Sequence, residues 1–460
     1  MNMNQKAKGF FSSLTERPER LLALGFFLLI LLGTVLLSLP WAAQSGRSIG
    51  LFDALFTSTS AVCVTGLVAV DTGTVFSLFG QIVLLILIQV GGLGFMIFAT
   101  RMMVLLGHRI SLRERRLIQE SMNASSLSGI IALSRTYGLL ALGIEFLGAL
   151  LLSFRFVPAL GWAKGLCHSV FHSVSAFCNA GFDLVGGFRS LTVYRQDPLV
   201  LLSVSLMIIL GGLGFSVIIE TVQRVRDDKS GKNLSLHARF VLVMTGGLLL
   251  LGTLFYLAAE WRNPDTLGQG GFFEKLLNAF FQSVTMRTAG FNSVDLAAMG
   301  DGSKLLSCLL MVTGASPAST GGGLKTTTVA AVALLVLSVI RSEDEVNISG
   351  RRLSKDLTRR ALAVMTISLS ITTLGTLLIA LFENGRFTLA DILMETCSAS
   401  ATVGVSSIGT PKLTLASRTV LLPMMFFGRV GPLTLAMALS KKQDKVKKHI
   451  KYPEENIMIG

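Results

Sequence analysis

The chain has 460 residues, 51% of them hydrophobic and 15% charged, with a mean hydropathy of +0.65. Soluble domains carry roughly 25% charged residues, so the composition excludes a soluble globular protein and assigns the chain to a membrane. A formal net charge of +14 invites a nucleic-acid reading, which the placement of the charges argues against.

A charged segment ending at Arg20 leads directly into an apolar run at 21–40. Crossing a hydrocarbon core takes about 20 residues, so this run predicts a first span rather than a cleaved signal peptide. A short amphipathic stretch at 51–61 and a long run at 77–106 follow. The same order returns at 130–157, 166–176 and 197–222, then at 237–259, 276–286 and 304–340, and last at 361–382, 390–399 and 416–440. Eight spans and four re-entrant helices are therefore expected, the short stretches being too short to cross. The units expected are a segment 1–20, repeats at 21–106, 130–226, 236–340 and 360–440, and a tail 441–460.

Basic residues crowd the N-terminal segment (Lys6, Lys8, Arg17, Arg20), the 101–116 turn (Arg101, Arg109, Arg113, Arg115, Arg116), the 224–239 and 341–360 loops and the tail (Lys441, Lys442, Lys445, Lys447, Lys448, Lys451). An eight-span topology puts all of these on one face, which the positive-inside rule makes cytoplasmic. Both termini are then inside, and the charges set topology instead of binding nucleic acid. Cysteines 63, 167, 178, 308 and 397 form neither a CxxC pair nor a metal spacing and are expected as small buried residues.

Set under one another, FDALFTSTSAVCVTGL (52–67), CHSVFHSVSAFCNAGF (167–182), LNAFFQSVTMRTAGF (277–291) and ADILMETCSASATVGV (390–405) align. Each has a polar second residue (Asp53, His168, Asn278, Asp391), a bulky fifth (Phe56, Phe171, Phe281, Met394) and a hydroxyl ninth (Ser60, Ser175, Thr285, Ser398). Each closes on a glycine, at 66, 181, 290 and 404, and the third copy is one residue shorter before its glycine. GGLGF recurs at 91–95 and 211–215, with GRVGP at 428–432 in the equivalent place. The chain thus reads as an all-α membrane protein of four tandem M1-P-M2 repeats around a pseudo-fourfold pore.

Irregular backbone is tolerated at membrane depth only where protein buries it or water lines it, so four glycine loops brought together predict a pore. Its oxygen donors would be the carbonyls of Val64, Thr65 and Gly66, of Asn179, Ala180 and Gly181, of Thr288, Ala289 and Gly290, and of Thr402, Val403 and Gly404. The short helices aim their partly negative C-termini at the axis, which favours a cation. Asp71, Asp183 and Asp295 follow the glycines, either concentrating cations at the outer mouth or standing as solvated loop acids.

The filters VTGL, NAGF, TAGF and TVGV, with GASPASTGGGLKTTT at 314–328 and FGRVGPLT at 427–434, resemble the Trk/Ktr/HKT superfamily of potassium transporters over nearly all of residues 20–440. The immediate start of the first span makes the chain more similar to the bacterial Ktr pore subunit than to the Trk one. The resemblance implies potassium as the transported ion, with Gly66 favouring it over sodium, and no organic cofactor in this chain. It also implies sodium as an activator, a homodimer and a cytosolic ring binding NAD(H), ATP or ADP. The ring would dock on the basic 341–360 loop and the tail, at the plasma membrane of a bacterium. A Trk-type potassium or sodium/potassium transporter is the nearest alternative.

The run at 304–340 is interrupted by Gly314, Ala315, Ser316, Pro317, Ala318, Ser319, Thr320, Gly321, Gly322 and Gly323, too many helix breakers for a simple kink. A flexible intramembrane loop beneath the filter is expected, and the resemblance gives it the role of gate. Arg429, within an apolar span, is expected to face the cavity, either gating with the loop or tethering repeats. Lys325 either lines the exit or snorkels. Glu145 is read as a buried structural partner or a second ion site, and His168 and His172 occupy positions that accept any polar residue, not a metal site. No enzyme motif appears, neither a Gly-x-Ser-x-Gly elbow nor HExxH. A secondary carrier also has repeats and broken helices, and uncoupled flux distinguishes a pore from it.

Overall fold

The computed structural model describes residues 18–94, 130–226, 234–343, 345–348, 351–432 and 434–435. The basic N-terminal residues before Arg20, the 101–116 turn and the lysine-rich tail lie outside these residues. The first repeat holds α1 (Pro18–Ser38), α2 (Leu51–Val62) and α3 (Leu78–Leu93). The second holds α4 (Ile130–Leu160), α5 (Trp162–Phe177), α6 (Pro198–Leu213) and α7 (Phe215–Arg226). In the third are α8 (Leu236–Glu260), α9 (Phe272–Thr285), α10 (Asp301–Val312) and α11 (Thr326–Ile340). The fourth comprises α12 (Lys355–Glu383), α13 (Leu389–Ser400) and α14 (Leu415–Val430), preceded by a two-residue hairpin of β1 (Asn347–Ile348) and β2 (Arg351–Arg352).

The helices begin where the sequence supplies caps. The side chains of Ser77, Asp197, Ser235, Ser354, Thr388 and Thr414 each accept a hydrogen bond from a first-turn amide. Among the described residues four single helices are long and apolar enough to cross a membrane: Arg20–Ser38, Ala132–Leu160, Leu236–Glu260 and Lys355–Glu383, the first span of each repeat. On α1, Leu22, Phe26, Ile30 and Leu37 are buried while Phe27, Leu28, Leu31 and Val35 stay exposed, an apolar outer face suited to lipid.

The second spans of the first, second and fourth repeats depart from the sequence expectation of continuous crossings. The helix stops at Gly94 (φ +87°), bends by 103° at Gly214 (φ +92°), and stops again at Gly431 (φ +93°). Only glycine enters that backbone region without steric cost, so the recurring GGLGF and GRVGP motifs break the helix rather than merely pack it. The first glycine of each motif has a second duty. A Cβ on Gly91, Gly211 or Gly428 would collide with the carbonyl of Val62, Phe177 or Ser400, at the C-terminal end of the same repeat's short helix.

Each short helix packs against the first span of its own repeat and against the second span of the repeat before it. Within a repeat, Ser58, Ser173 and Ser283 donate to the carbonyls of Ile30 (2.8 Å), Glu145 (2.6 Å) and Leu249 (2.9 Å). Gly33, Gly148 and Gly252, one turn along each span, leave room for those hydroxyls, a small-residue contact of the kind membrane helices favour. Between repeats, ion pairs form the seams: Arg195–Glu274 (2.9 Å), Lys304–Asp391 (2.8 Å) and, closing the ring from the fourth repeat to the first, Arg418–Asp53 (3.1 Å). Three of the polar second positions thus serve assembly, since Asn278 also donates to the Arg195 carbonyl at 2.9 Å. Four of the five cysteines are buried, and Cys167 is half-buried.

Candidate ion pathway

The four loops after α2, α5, α9 and α13 share one backbone conformation. Val64, Asn179, Thr288 and Thr402 have φ of +55°, +58°, +73° and +52°, and two residues later the glycines have +91°, +69°, +88° and +95°. Thr65, Ala180, Ala289 and Val403 between them stay on the ordinary negative side. Alternating hand turns successive carbonyls toward the same side of the strand. A left-handed non-glycine residue costs about 1–2 kcal/mol, and such strain gathers where function requires it.

The loops meet as a closed ring. A Cβ built on Gly66 would lie 2.5 Å from the Ala180 carbonyl oxygen, on Gly181 2.7 Å from that of Ala289, and on Gly290 2.6 Å from that of Val403. On Gly404 it would collide with the Thr65 carbonyl, so the order runs from the first repeat to the fourth and back. All twelve residues expected to donate oxygen therefore lie in the four strands of this ring. Behind it, the ninth-position hydroxyls reach the strands: Ser60 and Ser398 accept from the amides of Gly66 (3.0 Å) and Gly404 (2.9 Å). Ser175 and Thr285 donate to the carbonyls of Phe182 and Phe291, both at 2.7 Å.

On one side of the ring, a cavity of about 730 Å³ is bounded by all four glycines together with Asp71, Asp183 and Asp295. Asp71 accepts from Thr74 Oγ1 and the Gly187 amide, both at 2.6 Å, and Asp183 from the Val185 amide at 2.9 Å. These acids shape their loops as well as lining the mouth. Burial pushes the Asp183 carboxyl up to about 6, and the negative charge of Asp71 adds to the shift.

On the other side lies the segment between α10 and α11. The backbone amides of Ser316 and Thr320 donate to the carbonyls of Gly212 (3.0 Å) and Gly211 (3.1 Å), and Phe215 donates to the Ala318 carbonyl (3.0 Å). The segment is thereby laced into the break of α6 and α7. Gly321 presses on the Thr288 hydroxyl and Gly322 on that of Thr402, contacts with no room for a Cβ, while Gly323 lies 3.0 Å below the Ala401 carbonyl by the same measure. Arg429 binds the Thr320 carbonyl at 2.5 Å, the Gly92 carbonyl at 2.9 Å and the Gly91 carbonyl. Its guanidinium joins the end of α3 to the crossing segment, and Lys325 Nζ donates to the Gly321 carbonyl at 2.7 Å. The structure thus brings Gly314–Gly323 and Arg429 together directly beneath the ring.

Glu145 sits apart from the ring and accepts from Gln89 Nε2 at 2.9 and 3.0 Å, tying the second repeat to the first. His172 bonds the His168 carbonyl through Nδ1 at 2.8 Å and accepts the Leu184 amide through Nε2 at 3.4 Å, leaving neither ring nitrogen for a metal. Among the described residues no cluster of three or more metal-ligating side chains occurs. Sequence reasoning found the ninth hydroxyls without their role, and missed the ion-paired seams.

Fold and site together define a four-repeat membrane pore protein with a backbone-lined constriction. Residues 26–449 match the family model of TrkH, described as a cation transport protein. The chain belongs to this family. It is 41% identical to Ktr system potassium uptake protein B of Bacillus subtilis (strain 168), over 96% of this chain and 97% of that protein. It is 39% identical to potassium/sodium uptake protein NtpJ of Enterococcus hirae, with coverage of 96% and 97%, and 38% identical to the Ktr protein B of Vibrio alginolyticus, with 96% and 94%. The crystal structure of the potassium transporter TrkH from Vibrio parahaemolyticus shares the fold, with a TM-score of 0.67, 18% identity and coverage of 90% of this chain and 84% of that one. These relatives are transporters, not enzymes.

Proposed function

We propose that this chain is the potassium-translocating membrane subunit of a Ktr-type uptake system, acting as a gated pore. The observation that carries this reading is the closed ring of glycines and carbonyls, in which main-chain oxygens replace the water around a dehydrated monovalent cation. Potassium as the ion rests on the named activities of the Ktr relatives and on Gly66. The likeness to NtpJ favours a second reading, transport of sodium as well as potassium.

The crossing segment Gly314–Gly323 acts as the gate, with Arg429 as its latch. Support comes from the contacts of Gly321 and Gly322 with the filter threonines, which set the segment against the ring. Arg429 places a positive charge under the filter that three carbonyls hold in position. Release of those carbonyls would free the segment to move aside. In the remainder of the proposal the subunit works as a homodimer in the plasma membrane of a bacterium, both termini cytoplasmic. A cytosolic ring binding NAD(H), ATP or ADP controls it from the basic loop and tail, sodium serves as activator, and no organic cofactor is held by this chain.

The test is growth of a potassium-uptake-deficient bacterium on low potassium. The wild type is expected to rescue growth, and Gly66→Ser is expected to weaken the preference for potassium over sodium. Failure of folded, membrane-inserted wild type to support growth defeats the potassium assignment.

A further inference from the structure

The ninth-position hydroxyls do not hold the four filter strands in the same way, and this inference rests on the filter reading above. All four side chains are fully buried. In every repeat the backbone carbonyl of that residue accepts from a strand amide: Ser60 from Thr65 (2.8 Å), Ser175 from Ala180 (2.7 Å), Thr285 from Ala289 (3.0 Å) and Ser398 from Val403 (2.8 Å). The hydroxyls then diverge. Those of Ser60 and Ser398 accept the next amide along, that of Gly66 and Gly404, whereas those of Ser175 and Thr285 skip the glycine and donate to the carbonyls of Phe182 and Phe291.

A trans peptide is planar, with its N–H and C=O on opposite sides. Holding the Gly66 amide from behind therefore aims the Thr65 carbonyl forward, and holding the Gly404 amide does the same for Val403. These are two of the four carbonyls that close the ring, Thr65 against Gly404 and Val403 against Gly290. The other two, of Ala180 and Ala289, belong to peptides whose amides do not donate to their pore-helix hydroxyls. The difference follows repeat boundaries: the first and fourth repeats, joined by the Arg418–Asp53 pair, share one mode, and the second and third share the other.

We propose that Ser60 and Ser398 are selectivity-positioning residues, whose hydroxyls fix the Thr65 and Val403 carbonyls and make one half of the ring stiffer than the half built by the second and third repeats. A stiff carbonyl cannot close in on a smaller ion, so discrimination against sodium resides mainly in that half.

The experiment uses the full chain in proteoliposomes and reads rubidium tracer uptake in competition with potassium and with sodium. Ser60→Ala and Ser398→Ala leave a buried amide without its acceptor and are expected to reduce the preference for potassium over sodium by about tenfold. Ser175→Ala and Thr285→Val are expected to leave it within about twofold, since a carbonyl tolerates loss of a partner better than an amide does. Ser60→Thr should retain selectivity, because threonine keeps a hydroxyl oxygen able to accept the Gly66 amide. If an alanine variant does not reach the membrane, Ser60→Cys and Ser398→Cys replace it, a thiol being a weak acceptor of similar size. Unchanged preference in inserted Ser60 and Ser398 variants overturns the proposal, and so does an equal loss in all four positions. Wild type that passes no potassium would instead sink the filter reading itself.

Discussion

The second span of the third repeat and those of the other three repeats break by different means. In the first, second and fourth repeats one glycine of positive φ ends or bends the helix. In the third, ten small residues replace the helix and cross beneath the ring, held by Gly211, Gly212 and Arg429. One glycine redirects a helix, whereas a run of glycine, serine and proline supplies a separate element held by a few polar contacts.

The largest expected effect comes from removing that element. Deletion of residues 315–320 is expected to raise potassium flux in proteoliposomes by about tenfold or more, as when a minor open state becomes the main one. Unchanged flux would make the crossing segment a fixed strut, no different in kind from the single-glycine breaks. A sharper test is Gly322→Ala beside Gly212→Ala. The first puts a Cβ into the Thr402 hydroxyl and should lift the segment, raising flux severalfold. The second meets only ordinary contacts, the nearest at 3.5 Å, and is expected to leave flux unchanged and to stabilise α6 by up to about 1 kcal/mol. Equal responses erase the distinction.

The smallest effect belongs to the outer mouth and should not involve the segment at all. With the Asp183 carboxyl raised to about 6, lowering external pH from above that value to below it neutralises a negative charge beside Gly181. Inward flux is expected to fall by about twofold, the scale of a modest local field, and Asp183→Asn should flatten the profile. The same pH response in the 315–320 deletion places the two effects on separate elements, and its loss there would couple them.

Much of this arrangement was legible in the sequence, for reasons that differ by residue. Filter glycines and ninth hydroxyls stand out because their spacing is local and recurs four times. The segment at 314–323 was visible because ten small residues in a row, four glycines and a proline among them, do not continue a helix at membrane depth. The breaks at Gly94, Gly214 and Gly431 were hidden because each glycine of GGLGF and GRVGP costs a helix only about 1 kcal/mol, and the sequence does not reveal its φ. The seams were hidden for another reason: Arg418 and Asp53 are separated by 365 positions, and no local pattern announces such a pair. The split between amide-held and carbonyl-held strands depends on hydroxyl direction, about which serine and threonine codes are silent.

The pairing of Arg418 with Asp53 also bears on biogenesis. A ribosome must deliver the final quarter of the polypeptide before the opening quarter finds its neighbour, so a nascent or prematurely terminated product has a gap in its wall instead of a conduit. The wall therefore closes only once the fourth repeat has been made and Arg418 can reach Asp53.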